Sequence, residues 1–157
     1  MRVIKEANLD TIKQELKRML SDGIADPTVR SIATSSAQKG EEIISVFCAI
    51  KADYVYTADP YGKELFTSPK KLIEQYEETG KYCEDCDGAA LLMASLLGSI
   101  GFRTRIALLD CDYDGEYDHA IAEVFSVKTY TWINLDLTSD KPMGWSTQYL
   151  KRTEIGL

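Results

Sequence analysis

The chain has 157 residues with a formal net charge of −7 and a sequence pI near 4.8, and its 45% hydrophobic and 27% charged content is that of an ordinary globular protein. The acid excess opposes docking on a phosphate backbone, and the lysines are not segregated on one face, so nucleic acid is not an expected partner. No apolar run approaches the roughly 20 residues needed to cross a bilayer, which removes the membrane from the expected partners as well.

The N-terminus, MRVIKEANLD, lacks the apolar core of a secretion signal. Cys48, Cys83, Cys86 and Cys111 are therefore expected to be reduced thiols in a cytoplasmic protein, and the length fits a single domain over 1–157. Leu9, Ile12, Leu16, Met19 and Leu20 fall on one face of a first helix, with Gly23 placed to end it. Asp26-Pro27 then forms an N-cap and first-turn pair for a short second helix carrying Val29 and Ile32. TSSAQKG, residues 34–40, reads as a loop. The run EEIISVFCAIKADYVY is apolar almost all round, as a buried helix would be, and Cys48 within it reads as a small core residue. TADPYG, residues 57–62, is a turn, and Ser68-Pro69 opens a further helix that Gly80 ends.

The stretch GKYCEDCDGAALLMASLLGSIGF, residues 80–102, places two cysteines at the mouth of the most apolar helix, whose Ala89, Ala90, Met93, Leu96, Leu97 and Ile100 recur at helical spacing. First-turn amides favour a thiolate, so a cysteine there is expected to have a lowered pKa. Gly101 ends the helix. Three alternating or β-branched runs follow, 103–109, 119–126 and 129–137, and read as consecutive antiparallel strands. Helices first and strands after predict an α+β fold.

His119, the single histidine, opens the second of these strands, and Asp136 lies in the third on a face with Tyr130, Trp132 and Asn134. Paired as a hairpin, the two strands would set imidazole and carboxylate opposite each other. With Cys86 brought up by the helix start, this would be a nucleophile, a base and a group that orients the base. Glu123 and Trp132 are further candidates to line such a site.

The segments EDCDGAALLMASLLGSIGF, DHAIAEVF and WINLDLT, in that order, resemble the transglutaminase-like superfamily of papain-related cysteine proteases and acyltransferases. Its core carries a pattern near G-x-C-x-D-x-A-x-L at a helix start, then His-Ala with Glu-Val, then Trp followed by Leu-Asp-x-Thr. The resemblance covers roughly 54–138. It is strongest to the short versions in bacteriophage and prophage genomes, where a Y-x-x-D-P element precedes the cysteine, as Tyr56, Asp59 and Pro60 do here. It implies a papain-like or transglutaminase-like core over roughly 41–138 with a helical N-terminal extension over 1–40.

Set back from Gly101 by the length of the family's helix, the implied nucleophile is Cys86 rather than Cys83, with His119 as base and then acid and Asp136 as orienting carboxylate. The implied reaction is hydrolysis or acyl transfer at a protein or peptide amide through a thioester, with no metal or cofactor. One oxyanion donor would be the Cys86 amide, with Tyr56 a candidate for the second. A phage structural protein is an implied partner. Two positions depart from the pattern: Gly88 stands where the family often has an acid, and Cys83 where it usually has a glycine or polar residue.

Other readings remain. Cys83-Glu84-Asp85-Cys86 is a C-x-x-C sequence, as in thiol-disulfide oxidoreductases, but the segment before it reads as helix rather than strand, and two acids between the thiols oppose a reactive pair. A reversible Cys83–Cys86 disulfide would block the nucleophile. Cys83, Cys86, Cys111 and His119 are zinc-ligand types without a second C-x-x-C pair. Asp110-Cys111-Asp112-Tyr113-Asp114-Gly115 matches half of a calcium loop, but its twelfth position is Ile121. A transglutaminase-like fold could also serve as a non-catalytic binding or assembly module.

Overall fold

The computed structural model describes the backbone of residues 2–4, 8–60 and 64–157, so Tyr61 and Gly62 of the TADPYG turn lie outside the described residues. In chain order the elements are β1 (Arg2–Ile4), α1 (Leu9–Ala25), α2 (Pro27–Ser36), α3 (Glu42–Asp53), β2 (Tyr54–Tyr56), β3 (Glu64–Phe66) and α4 (Pro69–Thr79). Then come β4 (Tyr82–Glu84), α5 (Cys86–Ser99), β5 (Thr104–Leu109), β6 (His119–Ser126), β7 (Thr131–Leu135) and β8 (Arg152–Gly156). The chain is α+β.

Helix α5 is the axis of the molecule. Every residue from Gly88 to Leu97 is buried, because α1, α2, α3 and α4 pack on it along with β5 and β6. The periodicity of one apolar face thus understates it: Leu91, Leu92 and Ser95 are buried too, as in a helix apolar all round. Each buried leucine or methionine contributes about 1.5–3 kcal/mol. Leu16, Leu20, Val29 and Ala33 of α1 and α2 join this same core.

Local signals set most helix ends. Asp26 accepts hydrogen bonds from the amides of Thr28 and Val29 ahead of Pro27, Ser68 caps α4 through the Lys71 amide, and Gly80 closes α4 at φ 73°. Gly23 does not end α1, which runs on to Ala25. Its small size serves packing instead, since a Cβ there would lie 2.4 Å from Ser95 Oγ of α5. The reading of Cys48 as a core residue is also corrected. Helix α3 buries Val46, Phe47 and Ile50 on one side only, leaving Ile44 and Cys48 exposed, and its last apolar residues, Tyr54–Tyr56, form β2 rather than helix.

The four-stranded sheet has the order β7-β6-β5-β8 and is antiparallel throughout. Ala120, Ala122 and Val124 face the α5 side and belong to the main core. Ala107, Leu109 and Ile121 form a smaller cluster with Cys111 and Tyr149. The short strands were not expected from the sequence: β1 pairs with β3, β2 runs parallel to β4, and β8 closes the sheet. The β2–β4 pair matters most for the site, because β4 leads directly into α5. The segment before the two cysteines, residues 68–80, is helical as expected, forming α4, and the short β4 that follows it holds Cys83, exposed.

Candidate active site

Asp85 caps α5, its Oδ1 accepting from the Gly88 amide at 3.2 Å, and Cys86 is the first helical residue. The carbonyl of Glu84 fixes the approach, accepting from Tyr54 Oη at 2.7 Å and from the Thr57 amide at 3.0 Å. The Glu84 side chain is buried and folds over Gly88, where a Cβ would fall 1.9 Å from Glu84 Cγ. Gly88 is thus required by Glu84.

On the sheet, His119 Nε2 and Asp136 Oδ2 are 2.9 Å apart. They are not directly opposite. The β6–β7 register pairs Ala122 with Leu135, so continuing it sets Asp136 across from Ile121, and the imidazole reaches it diagonally. Oδ1 of Asp136 accepts from the Thr138 amide at 3.0 Å and from Thr138 Oγ1 at 2.7 Å. Burial alone would lift the Asp136 carboxyl, but the bonds from His119 and Thr138 outweigh it and hold it below the usual carboxylate range. A carboxylate only accepts, which assigns the proton to Nε2 and leaves the Nδ1 lone pair of His119 open.

The Cys86 Sγ lies 3.9 Å from Asp87 Oδ1, to which the thiol donates. Cys86 and His119 line one cleft of about 740 Å³, whose walls also include Tyr56, Leu108, Tyr117 and Lys151. The expectation of a lowered thiol pKa is overturned. Burial, followed by the charges of Asp87 and Asp85, pushes the Cys86 thiol well above its ordinary value, so the sulfur rests as a thiol.

Asp85 responds to the same crowding. Burial and the neighbouring charge of Asp87 push its carboxyl up to about 8. The folded protein keeps that proton up to about pH 8, whereas the unfolded chain releases it near pH 4. Its stabilising effect is complete below about pH 4 and is lost as pH rises through about 8. Asp85→Asn retains a capping side chain and is expected to flatten that decline, raising Tm near pH 8 by several degrees; Tm against pH for both proteins checks this.

Glu123 and Trp132 do not line the cleft. Glu123 is buried between Arg105, at 2.6 Å, and Arg152, at 2.5 Å, while Trp132 lies under the Arg105 guanidinium at 3.9 Å and packs edge-on against Phe125. All four cysteines are free. Among the described residues, the groups whose ligand atoms lie within 4.8 Å of one another are Asp59–Glu84–Asp85 and Asp110–Asp114–Asp118; the set of three thiols with His119 forms no such group. In the second group, Asp110 accepts from the amides of Asp114 and Gly115 and so shapes the turn ahead of β6. Among the described residues no helix is long and apolar enough to cross a membrane.

The architecture is that of an α+β protein with a cysteine at the start of its central helix abutting an antiparallel sheet. A solved structure from Cytophaga hutchinsonii, described as a "putative cysteine protease", matches it with a TM-score of 0.57 at 15% identity, over 97% of this chain and 53% of that one. The likeness is one of fold, and the chain spans about half the length of that protein. No protein-family model matches the sequence, and no curated protein does.

Proposed function

We propose that the chain is a cysteine-dependent hydrolase or acyltransferase of the transglutaminase-like kind, acting on protein or peptide amides through Cys86, His119 and Asp136. The observation that carries this reading is the 2.9 Å bond from His119 to Asp136 on the wall of the cleft that holds Cys86. Because the thiol rests protonated, His119 Nδ1 takes its proton as the sulfur attacks the carbonyl carbon. The oxyanion is met by the Cys86 amide in the first turn of α5 and by the Tyr56 hydroxyl on the same wall. When the C–N bond breaks, His119 returns the proton to the departing nitrogen. Water, or an amine, then gives a proton to His119, attacks the thioester carbon and releases the Cys86 sulfur, which regains its proton.

A thiol-oxidoreductase role has less support: a strand does precede α5, but Cys83 lies in that strand, and the Cys86 thiol is raised rather than lowered. The test is capture by a peptidyl acyloxymethyl ketone, followed by peptide mass mapping. The adduct is expected at Cys86, absent in Cys86→Ala and slowed about 10²–10⁴-fold in His119→Ala. Labelling of Cys48 and Cys86 at equal rates, indifferent to His119, would leave the fold as a non-catalytic binding module.

A further inference from the structure

Helix α3 is apolar on both sides, and the fold uses only one of them. Val46, Phe47 and Ile50 are buried, while Cys48, Ala49 and Ala52 are exposed, together with Ile44 at 43% and, just past the helix, Val55 at 44%. Residues 41, 44, 45, 48, 49 and 52 recur at spacings of three and four and so share the outer face of the helix. An ordinary surface helix carries polar and charged residues there. Beside this face an open groove of about 530 Å³ runs between the end of α2 and α3, lined by Ser36, Gln38, Glu41 and Ile44.

The face complements itself. Glu41 stands at the start of α3 and Lys51 in its last turn. Among the described residues neither is in an ion pair; the Lys51 ammonium donates to the Lys141 carbonyl at 2.7 Å and lies over the Phe47 ring. A second α3 running the opposite way brings Glu41 of each copy toward Lys51 of the other and opposes the two helix dipoles. The middle of the face is small, being Ser45, Cys48, Ala49 and Ala52, which lets two helix axes approach to about 8 Å. Ile44 and Ala52 lie at equal distances either side of Cys48, so antiparallel helices centred there set the large side chain of each copy on the small one of the other. Val55, beyond Ala52, is carried toward the groove at the start of the other α3.

We propose that this face joins two copies of the chain, their α3 helices packed antiparallel about a two-fold axis at Cys48. The assignment is independent of the chemistry at Cys86. A face of about three helical turns is at the small end of specific interfaces, so the dimer is reversible, with Kd of about 1–100 µM.

Sedimentation velocity of the whole chain from about 1 to 500 µM is expected to show a monomer–dimer equilibrium. A short bismaleimide should join Cys48 to Cys48 of the second copy, as mapped by peptide mass, with a yield that rises with protein concentration. Ile44→Lys, at an exposed position, should weaken the dimer about tenfold or more. Glu41→Lys and Lys51→Glu, each checked by circular dichroism, should each weaken it about tenfold, because the two-fold axis makes both charge pairs repulsive at once. Glu41→Lys and Lys51→Glu combined in one chain restore both pairs and should return Kd to within about threefold of its original value. The crosslink is read on the unaltered chain, so it stands if a variant fails to fold.

A monomer at about 500 µM overturns the proposal and leaves the face to a different polypeptide. A dimer that forms without the link between the two Cys48 thiols, or that Ile44→Lys leaves unchanged, overturns it by placing the contact elsewhere. A Cys48-linked dimer that the double charge swap weakens further overturns the antiparallel arrangement, and with it the proposal.

Discussion

Asp136→Asn is expected to lower kcat/KM by about 10³–10⁴-fold while leaving the fold intact, the scale seen when the orienting carboxylate of a hydrolytic triad becomes an amide. Thr138 makes this change more severe than the loss of a charge. Its amide and hydroxyl both donate to Oδ1 of Asp136. An asparagine must keep its oxygen on those two donors and therefore turns its NH₂ toward His119. That group donates to Nε2 and moves the ring proton to Nδ1, the nitrogen that the proposed mechanism needs to take the proton from Cys86. Steady-state kinetics give the loss, and nitrogen chemical shifts of the His119 ring report the tautomer. A wild-type rate in this variant would remove Asp136 from the mechanism.

Glu123→Ala should be the most damaging single substitution on the outer side of the sheet, costing about 3–5 kcal/mol. The carboxylate is 1% exposed and bonded to Arg105 and Arg152, which flank it from β5 and β8. Truncation leaves two guanidinium groups on the adjacent strands β5 and β8, each 23% exposed, without their shared carboxylate, with Glu154 the nearby acid that can still reach them. Urea titration measures the change. Glu123→Gln keeps the shape and one acceptor and should lie between the two. The cleft is elsewhere, so the alkylation rate at Cys86 is expected to change little in the folded fraction.

Where the information was local, the sequence was readable. The Asp26-Pro27 and Ser68-Pro69 pairs cap their helices through contacts within three residues, and the runs that became β5, β6 and β7 alternate over enough residues to show their period. Cys86, His119 and Asp136 stand out because few thiols and one imidazole occur in the chain. What escaped was non-local. Strands of three residues, such as β2 and β4, carry no period, and their parallel pairing depends on the helix packed between them in sequence. The raised Cys86 thiol arises from burial and through-space charge rather than from its place on a helix. Glu84 over Gly88 is a trade between two positions that only the folded chain displays. The role of Thr138 was within reach, since an aspartate followed two residues later by threonine is the pattern of a side-chain-closed turn.

Glu84 is tied down along its whole length: its carbonyl accepts from Tyr54 Oη and the Thr57 amide, its carboxyl accepts from the Asp85 amide, and its Cγ covers Gly88. A side chain placed at Gly88 would therefore be felt outside α5, since it must displace the Glu84 carboxyl and with it the strand end that leads into Cys86.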